Sequence, residues 1–152
     1  VAATASAVAA AGGRAVPAEN LHVTLEFLGA VPTERVDAAI AAARSVPVPD
    51  GTERFDRLVA WGRGGPLVLE PRVPGRVLAE FRQALHIALL AAGFALESRA
   101  FRPHITLARR PARRPATLAI PPLDWPFRAF ALVDSEPGPG GPRYAVAARF
   151  PA

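Results

Sequence analysis

Two of the three histidines in this 152-residue chain open the same short phrase: His22-Val23-Thr24-Leu25 and His104-Ile105-Thr106-Leu107. Residues i and i+2 of an extended chain point to the same side. Each phrase therefore presents an imidazole beside a hydroxyl, while Val23, Leu25, Ile105 and Leu107 turn toward a core. An imidazole has an ordinary pKa of about 6.5, so one ring can act neutral as a base while another acts protonated as an acid. That division of labour suits in-line displacement at phosphorus. One histidine removes a proton from the attacking oxygen and the other protonates the leaving oxygen. Thr24 and Thr106 can hold the non-bridging oxygens, and a nearby arginine fork can offset the phosphate's charge. One such phrase would most simply be a half-buried imidazole with a neighbouring hydroxyl. Two of them, each closed by leucine, point to a paired site.

The elements that must position these groups follow from periodicity. Residues 21–28 alternate, with Leu21, Val23, Leu25 and Phe27 on one face and His22, Thr24, Glu26 and Leu28 on the other, which predicts a strand ended by Gly29. A helix follows over 33–46, with Thr33 as N-cap and Val36, Ile40 and Ala43 on one face. Residues 55–62 and 66–71 read as strands around a glycine-rich turn. Residues 76–92 form a helix with a stripe of Val77, Phe81, Leu85, Ala88 and Leu89 and a C-cap at Gly93. Residues 103–108 make the second alternating strand, and a hairpin with a long Pro- and Gly-rich turn closes the chain from residue 125. The Ala-rich start reads as the tail of a helix ending at Gly12-Gly13. Mixed strands and helices with hairpin features favour an α+β class.

Composition bounds the chemistry further. Length suits one compact domain over residues 1–152, of two lobes. With no cysteine, thiolate nucleophiles, disulfides and Cys-ligated metals are excluded. With no lysine, so are a P-loop and a Schiff base. No apolar run is long enough to span a membrane. The formal charge of +5 favours polyanions, although all 18 basic residues are arginine, as GC-rich codon usage would also write them. Arg109, Arg110, Arg113 and Arg114 cluster after the second motif, and both a solvated loop and an RNA-backbone track remain open for them. His86 reads as a boundary residue of its helix. Glu26 is either a tuning group for the site or a solvated strand end. Trp61, Trp125 and Tyr144 read as core, with base stacking as the alternative.

The two phrases and their flanks, PAENLHVTLEFLGAVP, FRPHITLARR and GPGGPRYAVAARFP, resemble the signature motifs of the 2H phosphoesterases. Within that superfamily the chain is similar, from about residue 14 onward, to the bacterial and archaeal RNA 2′,3′-cyclic phosphodiesterases, also called 2′-5′ RNA ligases. The resemblance implies a bilobal α+β fold with two antiparallel sheets flanking a central cleft, helices outside and one motif strand per lobe. It implies metal-independent hydrolysis of a 2′,3′-cyclic phosphate to a 2′-phosphate, with no cofactor. His22 maps to the acid at the 3′ oxygen, His104 to the base for water, and Thr24 and Thr106 to the phosphate-binding hydroxyls. Arg109 matches the family's arginine after the second motif. Strand parity would aim Arg109 away from His104, so either the strand bulges or ends near Ala108 or Arg110 takes the role. The family's N-terminal strand is expected to be missing here, as in a truncated chain. The implied partner is RNA with a cyclic phosphate end, or a cyclic nucleotide, met by a cytoplasmic monomer without a membrane. A non-catalytic nucleotide-binding module and an RNA ligase are the competing readings.

Overall fold

A computed structural model describes residues 8–9, 11–113, 117–138 and 142–151. The expected helix tail is seen at Val8, Ala9 and Ala11, while its earlier part and the tip of the expected long turn lie outside the described residues. The chain divides into two compact units. The first comprises residues through Leu25, Glu53–Gly75 and Phe101–Trp125; the second comprises Glu26–Thr52, Arg76–Ala100 and the residues from Pro126 onward. The α+β class and the two antiparallel sheets agree with expectation.

The first unit is built on a five-stranded sheet. Its strands are β1 (Arg14–Ala15), β2 (Gly51–Ala60), β3 (Leu67–Glu70), β4 (Ile105–Arg109) and β5 (Leu118–Phe127), in the order β1-β4-β3-β2-β5. The β2–β3 hairpin closes with Trp61 N–H donating to the Pro66 carbonyl at 3.0 Å. Gly65 is required in that turn, because a Cβ there would stand 1.7 Å from the Trp61 carbonyl oxygen. Phe55, Leu58, Leu67, Leu69, Ile105 and Ala108 are buried together as the core, with Leu21, Val23, Leu107 and Trp125 packed against it. β5 was hidden in the sequence by Pro121, Pro122 and Pro126. An edge strand tolerates proline because its outward N–H groups have no ladder to join.

The second unit holds α1 (Val36–Arg44), α2 (Arg76–Ala91) and the two-stranded sheet of β6 (Phe130–Glu136) and β7 (Arg143–Phe150). Thr33 does not cap α1. It begins a 3-10 turn over Thr33–Arg35, and no side chain caps the helix that follows. The face that α1 buries is Ala39, Ala42 and Ala43 rather than Val36 and Ile40. On α2 the buried stripe is Leu78, Phe81, Leu85 and Leu89, with Val77 exposed. The expected stop holds. Gly93 has φ +82°, its N–H reaches the Leu90 carbonyl, and Phe94 N–H reaches that of Leu89, the paired bonds of a Schellman motif. Phe130 anchors this core between Phe81, 5.3 Å away edge-on, and Phe150, stacked at 4.7 Å.

Candidate active site

The strand expected over 21–28 is reduced to a single antiparallel bridge, Val23 to Ile105. Alternation persists from Leu21 to Leu25 and then slips: Glu26 turns inward with its side chain 6% exposed, and Phe27 is 66% exposed. The cause is the passage into the second unit, where Glu26 Oε1 lies 2.8 Å from Arg82 Nε and 2.7 Å from His86 Nδ1. Glu26 therefore neither shares the His22 face nor meets solvent. His86 is spent on the same buried cluster.

The bridge brings both motifs into the first unit, instead of one motif into each. Carrying its register one residue each way sets His22 opposite Thr106 and Thr24 opposite His104. Directly opposed residues stand about 4.5–5.5 Å apart and diagonal ones about 7–8 Å. The two imidazoles thus occupy one diagonal of a four-residue square and the two hydroxyls the other. Val23 and Ile105 sit beneath, the latter fully buried.

Both rings are oriented by the same device. His22 Nδ1 lies 2.7 Å from the Asn20 carbonyl oxygen, and His104 Nδ1 lies 2.8 Å from that of Arg102. A carbonyl oxygen only accepts, so each Nδ1 carries the hydrogen, and Nε2 bears the lone pair of the neutral ring. Local sequence sets these carbonyls in place. Pro17 leads into the 3-10 turn Ala18–Asn20 that ends at the first of them. Pro103, fully buried, holds Arg102 extended at the second.

His104 has a further support that sequence reasoning did not identify. The indole of Trp61 packs on its ring, with centroids 4.2 Å apart, and the Arg102 guanidinium lies 4.6 Å from the indole centroid. Glu70, at the end of β3, ties these groups together. Its Oε2 accepts from Trp61 Nε1 at 3.0 Å and from Arg102 Nη2 at 2.7 Å, while Oε1 accepts from Arg57 Nη2 at 2.8 Å. Burial pushes the His104 imidazole below the ordinary histidine pKa. The charges of Arg102 and His22 add to that lowering, and the Arg102 carbonyl and Glu70 oppose it without reversing it. The net lowering favours the neutral form of the His104 ring. A carboxylate inside the strand pattern PLVLEP was the available signal for Glu70, because a buried glutamate demands donors.

The parity problem of Arg109 is resolved by a β-bulge. Leu67 pairs with Ala108 but Val68 pairs with Thr106, which leaves Leu107 as an extra residue of β4. Ile105 and Ala108, three apart, are both buried. Beyond the bulge the phase has shifted by one, so Arg109 falls in step with Thr106. Arg110, at φ +51°, is exposed and ends the strand. Among the described residues no group of three His, Cys, Asp or Glu side chains is placed to hold a metal ion. No helix among the described residues is long and apolar enough to cross a membrane.

Comparison with known proteins identifies the family and the fold. The family model described as LigT-like phosphoesterase matches residues 1–68 and 69–144. The Escherichia coli K12 protein named RNA 2′,3′-cyclic phosphodiesterase is 34% identical over 140 residues, spanning 91% of this chain and 79% of that protein. The Thermus thermophilus protein of the same name is 33% identical over 153 residues, spanning 91% and 75%. The crystal structure of E. coli LigT complexed with 3′-AMP superposes with a TM-score of 0.82 at 31% identity, covering 98% of this chain and 86% of that one.

Proposed function

Since the chain belongs to the LigT-like phosphoesterase family, we propose that it hydrolyses 2′,3′-cyclic phosphates at RNA or nucleotide ends, leaving a 2′-phosphate. The observation that carries this reading is the pair of matched histidines, each with Nδ1 held by the carbonyl two residues before it. The relatives named for RNA 2′,3′-cyclic phosphates support the ester as substrate, and the 3′-AMP complex of E. coli LigT supports a nucleotide.

His104 Nε2 takes a proton from water as its oxygen forms a bond to phosphorus. The bond from phosphorus to the ribose 3′ oxygen breaks, and His22 Nε2–H protonates that oxygen as it leaves. Thr24 and Thr106 donate to the non-bridging oxygens, and Arg109 balances the charge of the five-coordinate state. One proton enters His104 and one leaves His22, so exchange with solvent resets the pair. All five residues come from one unit of one chain, and a cytoplasmic monomer suffices. Chromatography of cytidine 2′,3′-cyclic phosphate after incubation with the protein in EDTA tests the reading. The 2′-phosphate is the expected product. The 3′-phosphate would reverse which oxygen leaves, and unchanged substrate would overturn the proposal.

A further inference from the structure

The fold assembles arginines from distant parts of the sequence beside the site. β1 pairs with β4 in the register Arg14 to Arg109 and Ala15 to Ala108. Arg14 is thereby the direct cross-strand neighbour of Arg109, with Arg110 following on the same stretch. Arg113 is drawn into the same corner, where its backbone N–H donates to the Ala11 carbonyl at 2.9 Å. Arg14, Arg110 and Arg113 are exposed. Exposed arginines elsewhere include some with acidic partners, as Arg54 has Asp124 and Arg76 has Glu80. Others lie outside every ion pair, such as Arg44, Arg63 and Arg128, but these stand apart from one another in the sequence and in no cross-strand pair. Among the described residues, Arg14, Arg109, Arg110 and Arg113 have no acidic partner. Like charges placed directly opposite on a sheet repel one another, and here the repulsion is relieved by no carboxylate. The missing counter-charge is one that a ligand can bring.

The stripe also has a direction. It continues β4 outward from His104 and Thr106, so a strand whose terminal phosphate lies at the histidines can run along it. We propose that Arg14, Arg110 and Arg113 form a track for the phosphodiester backbone of single-stranded RNA. The protein would then prefer oligonucleotide ends to mononucleotides. The inference rests on the proposed reaction for its sense of direction, but its chemistry is that of polyanion binding alone.

The test is fluorescence anisotropy of a labelled ten-nucleotide RNA with a 3′-phosphate end, against wild type and Arg14→Gln/Arg113→Gln, over a salt series. No turnover is needed, so the outcome stands even if hydrolysis fails. Each phosphate contact contributes about −0.7 to the slope of log affinity against log salt for a single strand. The double variant is expected to flatten the slope by about 1.4 for two lost contacts and to weaken binding about ten-fold at low salt. Hydrolysis of cytidine 2′,3′-cyclic phosphate by the same variant is expected to stay within about two-fold of wild type, since neither side chain is a phosphate ligand in the mechanism. Equal salt slopes in the two proteins would overturn the proposal. So would binding of phosphatidylserine vesicles with no binding of RNA.

Discussion

Replacing Glu70 separates the support of His104 from its chemistry. Its side chain is 7% exposed and receives three donors. They do not weigh equally. Arg102 is 60% exposed and regains water when its partner is lost, so that pair counts for little. Arg57 is 32% exposed and recovers only part of its hydration. The indole N–H of Trp61 loses its acceptor. Charge-assisted bonds of about 1.5–3 kcal/mol each, from Arg57 and from the Trp61 indole N–H to the carboxylate, make Glu70→Ala cost at least about 3 kcal/mol. At this chain length about 3 kcal/mol lowers Tm by roughly 6–12 °C. Glu70→Gln keeps the shape and one acceptor, and should fall between. Thermal unfolding by circular dichroism reads the stability. Turnover at a temperature where both proteins are folded reads the chemistry, and there kcat should fall because Trp61 no longer fixes the imidazole. A Tm within about 2 °C of wild type for Glu70→Ala would refute the reasoning, since a buried carboxylate cannot be deleted beside an arginine at so small a cost.

Trp61→Ala exposes the His104 ring, removing the largest cause of its lowered pKa. A base works only unprotonated, so its rate falls as pH drops through that pKa. Hydration raises the pKa toward the ordinary value and moves the ascending limb of the pH–kcat profile to higher pH; an unmoved or lower limb would refute the assignment. Gly93→Ala places a side chain at φ +82° and should cost about 1–2 kcal/mol of stability, read as a lower Tm with activity preserved below the transition. Its Cβ would meet Arg35 Nη2 only at 3.4 Å, so the loss is one of backbone strain and not of collision.

The candidate site groups were legible because the pattern His-x-Thr-Leu is local and occurs twice. Periodicity also placed α2, the β2–β3 hairpin and the closing hairpin, and Gly93 marked a real helix end. What stayed hidden depends on tertiary context. Alternation over 21–28 could not show that the chain changes units after Leu25, which turns Glu26 inward and Phe27 outward. The leucine in His-Ile-Thr-Leu could not show that it is the extra residue of a bulge, yet that bulge decides where Arg109 lies. β5 was masked by prolines that only an edge strand accepts. Glu70, in the strand pattern PLVLEP, signalled a need for donors but not that two arginines and an indole would supply them.

The most direct test of the paired-histidine site is phosphorus NMR of cytidine 2′,3′-cyclic phosphate with wild type, His22→Ala and His104→Ala, in EDTA. A 2′-phosphate signal that grows with wild type and is lost in both variants, each folded by circular dichroism, is the expected result. Hydrolysis that survives in either variant at the wild-type rate would contradict the two-histidine account.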